Sequence, residues 1–156
     1  MYWLRKPLYT CLQAFGGYFD PEFELWTKIL FDKIAQGEYT VIYSKLIDIE
    51  LIYAPERVKK LATGLSRERL EFVDISDEAV ELAESYLKEN VVGKTSRTDC
   101  IHIALATLNH ADILVSWNFK HIVNINRIRG YNAVNYKLGN KILEIRTPRE
   151  ILIYEE

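Results

Sequence analysis

The sequence has few cysteines, no long apolar run and almost no net charge, and each shortage excludes a class of protein. Its two cysteines, Cys11 and Cys100, are too few for a disulfide framework and lack the spacing of a zinc site. No apolar segment approaches the length of a membrane span. The N-terminus also lacks the long apolar centre and small-residue cleavage site of a signal peptide. We therefore expect a cytoplasmic protein with no membrane partner.

Charge is unevenly distributed along the chain. The formal net charge of −2 gives no global reason to expect a nucleic-acid partner, but a local patch would suffice. Between residues 113 and 149 a single acid, Glu144, is outnumbered by basic residues: Lys120, Arg127, Arg129, Lys137, Lys141, Arg146 and Arg149. This stretch is either a solvated face or a phosphate contact. The acid-rich stretch 68–89 is typical of a solvated helix face.

The length and the hydrophobic pattern predict one α/β domain over residues 1–156. A chain of 156 residues with 49% hydrophobic and 27% charged residues can bury a core of its own. Strand patterns are found at 8–12, 39–43, 70–75, 112–117, 133–134 and 142–145. Helical patterns alternate with them at 21–36, 44–53, 55–65, from 76, at 98–109 and 121–128, and from 147. Such alternation indicates a mostly parallel sheet covered on both faces.

The most informative segment includes Asp99 and Asn118. Apolar residues recur at i, i+3, i+4 and i+7 from Ile101, which predicts a helix over 98–109 with Asp99 in its first turn. The apolar run 112–117 has the length of a strand buried on both faces. Asn118 follows that run, at the carboxyl end where open parallel sheets place their ligands.

Two motifs in this segment carry a resemblance to a known family. They are Asp99-Cys-Ile-His102-Ile-Ala104 and Ser116-Trp-Asn118-Phe-Lys-His121-Ile. Both resemble the PIN-domain nucleases, and specifically their VapC-type toxin-like group. The resemblance extends from about residue 8 to 152, and Ser44-x-Leu46-x-x-x-Glu50 resembles the second acidic position of that family. It implies an α/β/α sandwich.

The resemblance also implies an activity, a cofactor and partners. Phosphodiester hydrolysis uses divalent cations that activate water and neutralise charge on the phosphate. Glu50 and Asp99 would hold Mg²⁺ or Mn²⁺, and Asn118 would position a water or a phosphate. The expected protein is a metal-dependent ribonuclease of a toxin–antitoxin system. Its expected partners are RNA, a small antitoxin and a second copy of the chain in a dimer.

Each of these residues also has a purely structural interpretation. Asp99 suits the dipole of its helix, and Ser96-x-x-Asp99 imitates a capping box. Asn118 could cap the helix predicted to follow it. Glu50 could lie on a helix surface. His102, one turn from Asp99, could pack in the core or hydrogen-bond to that carboxylate.

The N-terminal segment departs from the family pattern at Cys11. PIN domains begin with a strand that ends in an Asp, and alignment through 15–20 puts Cys11 at that position. Either a degenerated copy or a sequence error upstream of Phe15 would account for this. A neutral thiol cannot replace a carboxylate as a ligand for magnesium, which prefers oxygen. We therefore predict that Cys11 lies near Glu50 and Asp99 at the sheet's carboxyl edge, and that cleavage is weak.

Two other functions remain open on the sequence. The first is a catalytically silent PIN-like module that binds RNA or protein, and the neutral residue at Cys11 is its main support. The second is an α/β small-molecule binder. That function would call for a nucleotide-type glycine fingerprint, which Phe15-Gly-Gly does not supply.

Overall fold

A computed structural model describes residues 6–154 of the chain. Within that range five strands form one sheet in the order β3-β2-β1-β4-β5, and every pairing is parallel. The strands are β1 (Lys6–Thr10), β2 (Tyr39–Ser44), β3 (Leu70–Val73), β4 (Ile113–Val115) and β5 (Glu144–Arg146). The predicted parallel α/β architecture is confirmed.

Eight α-helices connect and cover the strands in the described range. They are α1 (Leu12–Gly17), α2 (Glu24–Ala35), α3 (Lys45–Leu51), α4 (Glu56–Thr63), α5 (Asp77–Lys88), α6 (Arg97–Leu108), α7 (Ile125–Lys137) and α8 (Pro148–Tyr154). None of the helices in residues 6–154 has the length and apolar character needed to cross a membrane.

Alternate residues of the central strands face opposite layers, as the period of a strand requires. Tyr9 and Ile42 belong to a core cluster with residues of α5, α6 and α7. Leu8 and Val41, their neighbours in sequence, pack instead with residues of α1, α2 and α8. The sheet is therefore covered on both faces, and the chain is a three-layer α/β/α sandwich.

The strand order puts β1 at the centre, with the carboxyl ends of β2 and β4 on either side of its own. Close packing holds this edge together. A Cβ added to Gly17 on α1 would lie 2.5 Å from Trp117 Nε1, so only glycine lets α1 approach the residues after β4 this closely. Trp117 Nε1 also donates to Thr27 Oγ1 at 2.9 Å, which fixes the indole against α2.

The chain after Asn118 differs from the sequence prediction. A helix over 121–128 and a strand at 133–134 were expected, but residues 119–124 form turns and α7 includes 133–134. Gly130 lies inside α7, where a Cβ would approach Val91 Cγ1 to 2.7 Å. This glycine therefore allows close packing and does not cap a helix.

Smaller differences concern the helix starts and strand ends. The helix predicted from residue 21 begins at Glu24, and Asp20 accepts from Glu22 N at 2.9 Å in the turn before it. The segment Phe15-Gly-Gly lies in the short helix α1. The C-terminal helix α8 begins as predicted. Thr147 N donates to Glu150 Oε1 at 3.0 Å, and Glu150 N donates to Thr147 Oγ1 at 3.1 Å, which is a capping box.

Candidate functional site

The carboxyl edge of the sheet gathers the polar residues that the sequence singled out. Cys11 directly follows β1, and Glu50 lies on α3, which begins immediately after β2. Asn118 follows β4, and Asp99 lies in the first turn of α6. Because parallel strands end at the same edge of a sheet, residues distant in sequence meet here.

Glu50 is held by a chain of buried hydrogen bonds that runs across the edge. His102 Nε2 bonds to Glu50 Oε1 at 2.5 Å, and Tyr9 Oη lies 2.6 Å from the other ring nitrogen of His102, Nδ1. Tyr9 Oη also bonds to Ser44 Oγ at 2.8 Å. Tyr9, Ser44 and His102 are all buried, and the Glu50 side chain is 23% exposed. The carboxylate is thus fixed from the protein side while part of it faces solvent.

Asp99 lies within electrostatic reach of Glu50 but in a different environment. Burial raises the pKa of the Asp99 carboxyl above its ordinary value. The nearby rings of His102 and His121 lower that pKa, the Glu50 carboxylate raises it, and a hydrogen bond from the Asn118 amide lowers it. The two predicted metal ligands are therefore brought together at one edge of the sheet.

Cys11 lies at the same place as an uncharged group. Its side chain is fully buried, and its backbone N–H donates to Val115 O at 3.3 Å across the β1–β4 pair. Burial raises the pKa of the thiol well above its ordinary range, the Glu50 and Asp99 carboxylates raise it further, and a hydrogen bond with Ser116 lowers it. The thiol is neutral at physiological pH and is not an activated nucleophile.

Asn118 shapes the turn after β4 as well as contacting Asp99. Its Oδ1 accepts backbone N–H bonds from Lys120 at 3.2 Å and His121 at 3.0 Å. Its own N–H donates to Ser116 Oγ at 3.0 Å. In this arrangement the amide oxygen is occupied by the turn, and the amide nitrogen serves the carboxylate.

The capping interpretation of Asp99 finds no support in the hydrogen bonds. Ser96 precedes α6, but its side chain makes no cap, and its buried Oγ has no hydrogen-bond partner within residues 6–154. Ser44 occupies the cap position of α3 without capping it, because its hydroxyl bonds to Tyr9 instead.

The donor set limits which ions this edge could hold. Among residues 6–154, no three His, Cys, Asp or Glu side chains are arranged to hold a metal ion. Glu50 and Asp99 provide two carboxylates, and magnesium can be bound through one or two carboxylates while it keeps several waters. These residues fit one loosely held hard cation. They do not fit a pair of ions, since a neutral thiol at Cys11 adds no oxygen ligand.

Sequence reasoning missed the roles of Tyr9 and Ser44. Tyr9 is two residues before Cys11, so the strand period alone places both on the same face of β1. Ser44 is the last residue of β2, beside β1 in the sheet. His102 was expected in the core or against Asp99, and its direct bond to Glu50 was not foreseen.

Two solved structures are similar to this chain. One is VapBC2 from Rickettsia felis bound to a DNA fragment from its promoter, with a TM-score of 0.55, 17% identity, and coverage of 90% of this chain and 98% of the other. The other is DNA-bound VapBC from Salmonella typhimurium, with a TM-score of 0.55, 17% identity, and coverage of 92% of this chain and 98% of the other. This chain has a PIN-like fold of the VapC type. The fold class implied by the two motifs is confirmed.

At 17% identity the likeness concerns the fold, not the site. No family model matches the chain, and no curated protein matches it. What the PIN-like edge can do in this chain therefore has to be argued from its own residues.

Proposed function

We propose that this protein is a PIN-like ribonuclease of a toxin–antitoxin system with a weakened metal site. Glu50 and Asp99 would hold one Mg²⁺ or Mn²⁺, and the neutral Cys11 thiol between β1 and β4 leaves the site short of one carboxylate. The observation that carries this proposal is the 2.5 Å bond between His102 and Glu50, which ties Glu50 to α6 one helical turn from Asp99 at the carboxyl edge.

The residues around the carboxylates prepare them for such a role. His102 bonds to Glu50 through Nε2, and Tyr9 anchors the opposite nitrogen, so the carboxylate has a fixed orientation. The Asn118 amide bonds to Asp99 and supports its charged form. A bound divalent ion would supply a polarised water and neutralise charge on the phosphate. Partners that orient a ligand in this way strongly affect metal affinity.

The proposed partners follow from the similar structures and the basic stretch. Both similar structures are VapBC assemblies, so we propose a small antitoxin as a partner and a homo-oligomer as the assembled state. RNA is the proposed substrate. The basic residues of 113–149 could contact its phosphates, and Lys120 lies in the turn that follows Asn118.

The test compares the unmodified chain with Cys11→Asp on the same single-stranded RNA in Mg²⁺. We expect the unmodified chain to cleave poorly or not at all, and Cys11→Asp to cleave at least about 10-fold faster, because losing a metal ligand should cost no less than the 10- to 100-fold typical of its supporting partners. Asp99→Asn in each background is the control and should abolish cleavage. Robust cleavage by the unmodified chain that Asp99→Asn abolishes would show that Cys11 is not a defect.

A second candidate function is a catalytically silent PIN-like binding module. The full burial of the neutral Cys11 thiol favours it, because that side chain is packed as part of the core. If Cys11→Asp folds but does not cleave, the silent module is the better account. RNA binding without cleavage by both proteins would then define its activity.

A further inference from the structure

An aromatic groove opens beside the candidate site, and no part of the proposed chemistry uses it. Its volume is about 500 Å³, within the range of about 300–1,000 Å³ that holds small organic ligands. The groove is lined by side chains that include Phe23, Trp26, Trp117, Phe119, Arg149 and Ile153. We propose that it binds an unpaired nucleobase of a single-stranded RNA, and this inference rests on the proposed function.

The rings of the groove support one another and include an exposed aromatic surface. Phe23 stacks on Trp117, with centroids 4.3 Å apart and planes 19° apart, and Thr27 fixes the indole by a hydrogen bond. Phe119 leans against both rings, with its centroid 6.1 Å from each. The Phe119 side chain is nevertheless 51% exposed. An exposed ring on a fixed support suits base stacking, which works with every base because each has a π-face.

Two cations near the rings could contact the phosphates of a nucleotide. The Arg149 guanidinium lies 5.7 Å from the Trp26 ring centroid, and Lys120 is exposed directly after Phe119. Neither cation forms a salt bridge with another residue of 6–154. Glu22 and Glu150 also line the groove, and the Glu150 carboxylate keeps its charge while it caps α8. The two cations that could contact phosphate are therefore balanced by two acids, and recognition of the ligand rests mainly on the rings.

The groove lies at the edge of the sheet that also carries the candidate site. Trp117 and Phe119 flank Asn118 in the segment after β4, and Glu50 and Cys11 follow the carboxyl ends of β2 and β1. A base stacked on Phe119 would therefore bind at this same edge. This arrangement selects single-stranded RNA, because a base in a duplex has no free face to offer.

The test is the binding of a short single-stranded RNA that contains one 2-aminopurine, in EDTA so that no cleavage occurs. Stacking quenches the fluorescence of 2-aminopurine, and titration gives the affinity. We expect Phe119→Ala to bind about 5- to 100-fold more weakly and to lose the quenching. Phe119→Tyr should retain both, which separates the loss of a stacking ring from misfolding. Phe72→Ala is the matched control, since Phe72 is 61% exposed on β3.

Unchanged binding and quenching by Phe119→Ala would overturn the proposal. It would also be overturned if Phe119→Ala dissolved a dimer while leaving RNA binding intact, since the groove would then be a protein contact. Failure of the proposed function remains distinguishable. If Cys11→Asp cleaves RNA but Phe119→Ala binds normally, only the groove assignment falls. If Cys11→Asp does not cleave RNA while Phe119→Ala no longer binds the 2-aminopurine RNA, the groove assignment is supported and the proposed ribonuclease activity is contradicted.

Discussion

The two carboxylates of the sheet edge have opposite surroundings. Glu50 is bonded by a buried histidine, and that histidine is anchored through Tyr9 to the end of β2. Asp99 lies where burial disfavours its charge, beside the uncharged Cys11. Hydrogen bonds keep the Glu50 carboxylate in place, whereas burial disfavours the charged form of Asp99.

This difference indicates what a carboxylate at position 11 would change. A metal ion favours charged ligands, so in its presence Asp99 and a third acid could ionise together despite their burial. Without an ion, extra charge next to Glu50 and Asp99 is unfavourable. The Cys11 thiol is compatible with the metal-free edge, and the hydrogen-bonded Glu50 is compatible with both states. Substitutions at His102, Tyr9 and Asp99 can alter one side at a time.

Removing His102 should have the largest effect on stability. His102→Ala leaves a cavity and deprives both Glu50 and Tyr9 of a hydrogen-bond partner, so we expect a loss of about 2–4 kcal/mol in the free energy of unfolding. Urea denaturation measures it. His102→Gln should recover part of this loss, because an amide can still donate to Glu50. Equal stability of His102→Ala and the unmodified chain would mean that the chain of hydrogen bonds does not hold this side of the site.

Removing one hydroxyl from the same chain should have a smaller effect. Tyr9→Phe leaves Ser44 and His102 without that partner while preserving the buried ring, and we expect a loss of about 1–2 kcal/mol. The control is Tyr136→Phe, whose side chain is 77% exposed and should change stability by less than about 0.5 kcal/mol. Similar small changes in both variants would contradict a structural role for the Tyr9 hydroxyl.

The environment of Asp99 should make the stability of the folded protein depend modestly on pH. Its folded pKa is raised above the ordinary value of 3.8, so the folded protein holds this proton more tightly than the unfolded chain does. Stability is therefore lost as pH rises from about 3.8 through the folded pKa. Asp99→Asn removes this loss, and its stability relative to the unmodified chain should increase over that interval and then level off.

Urea midpoints between pH 3 and 7 measure this difference. Asp32→Asn, at an exposed position on α2, controls for the removal of a negative charge from the surface. The stability of Asp99→Asn relative to the unmodified chain could instead fall as the pH rises. That result would contradict a raised pKa and would show that the neighbours of Asp99 stabilise its charged form.

The sequence predicts the layers better than the details of the site. The β-branched and aromatic residues of β2 identify that strand. A helix lies where the apolar spacing after Ile101 predicts one, but burial in α6 is continuous from His102 to Thr107 and does not follow a single stripe. The segment after Asn118 misleads for a physical reason. Glycine often ends a helix, yet Gly130 lies within α7. Its lack of a side chain makes room for Val91, which lies in the connection between α5 and α6. The helix continues to Lys137, and Gly139 follows with a φ of +82°.

The candidate site likewise has features that the sequence predicts and features that it does not. Asp99 and Glu50 could be placed at one edge because each lies on a helix next to a strand's carboxyl end. The bond between His102 and Glu50 joins residues 52 apart, and the bond between Tyr9 and His102 joins residues 93 apart. No local pattern encodes such pairs, because they depend on the order of strands in the sheet. The expectation that Asn118 positions a water or a phosphate stays a prediction.

The binding of Mn²⁺ to the unmodified chain and to Cys11→Asp tests the central claim most directly. Electron paramagnetic resonance of the free ion gives the affinity without any dependence on cleavage. If the edge is a metal site that lacks one carboxylate, Cys11→Asp should bind one Mn²⁺ at least about 10-fold more tightly, and adding Asp99→Asn should remove the gain. Equal affinities for the two proteins, or a gain that persists with Asp99→Asn, would contradict it.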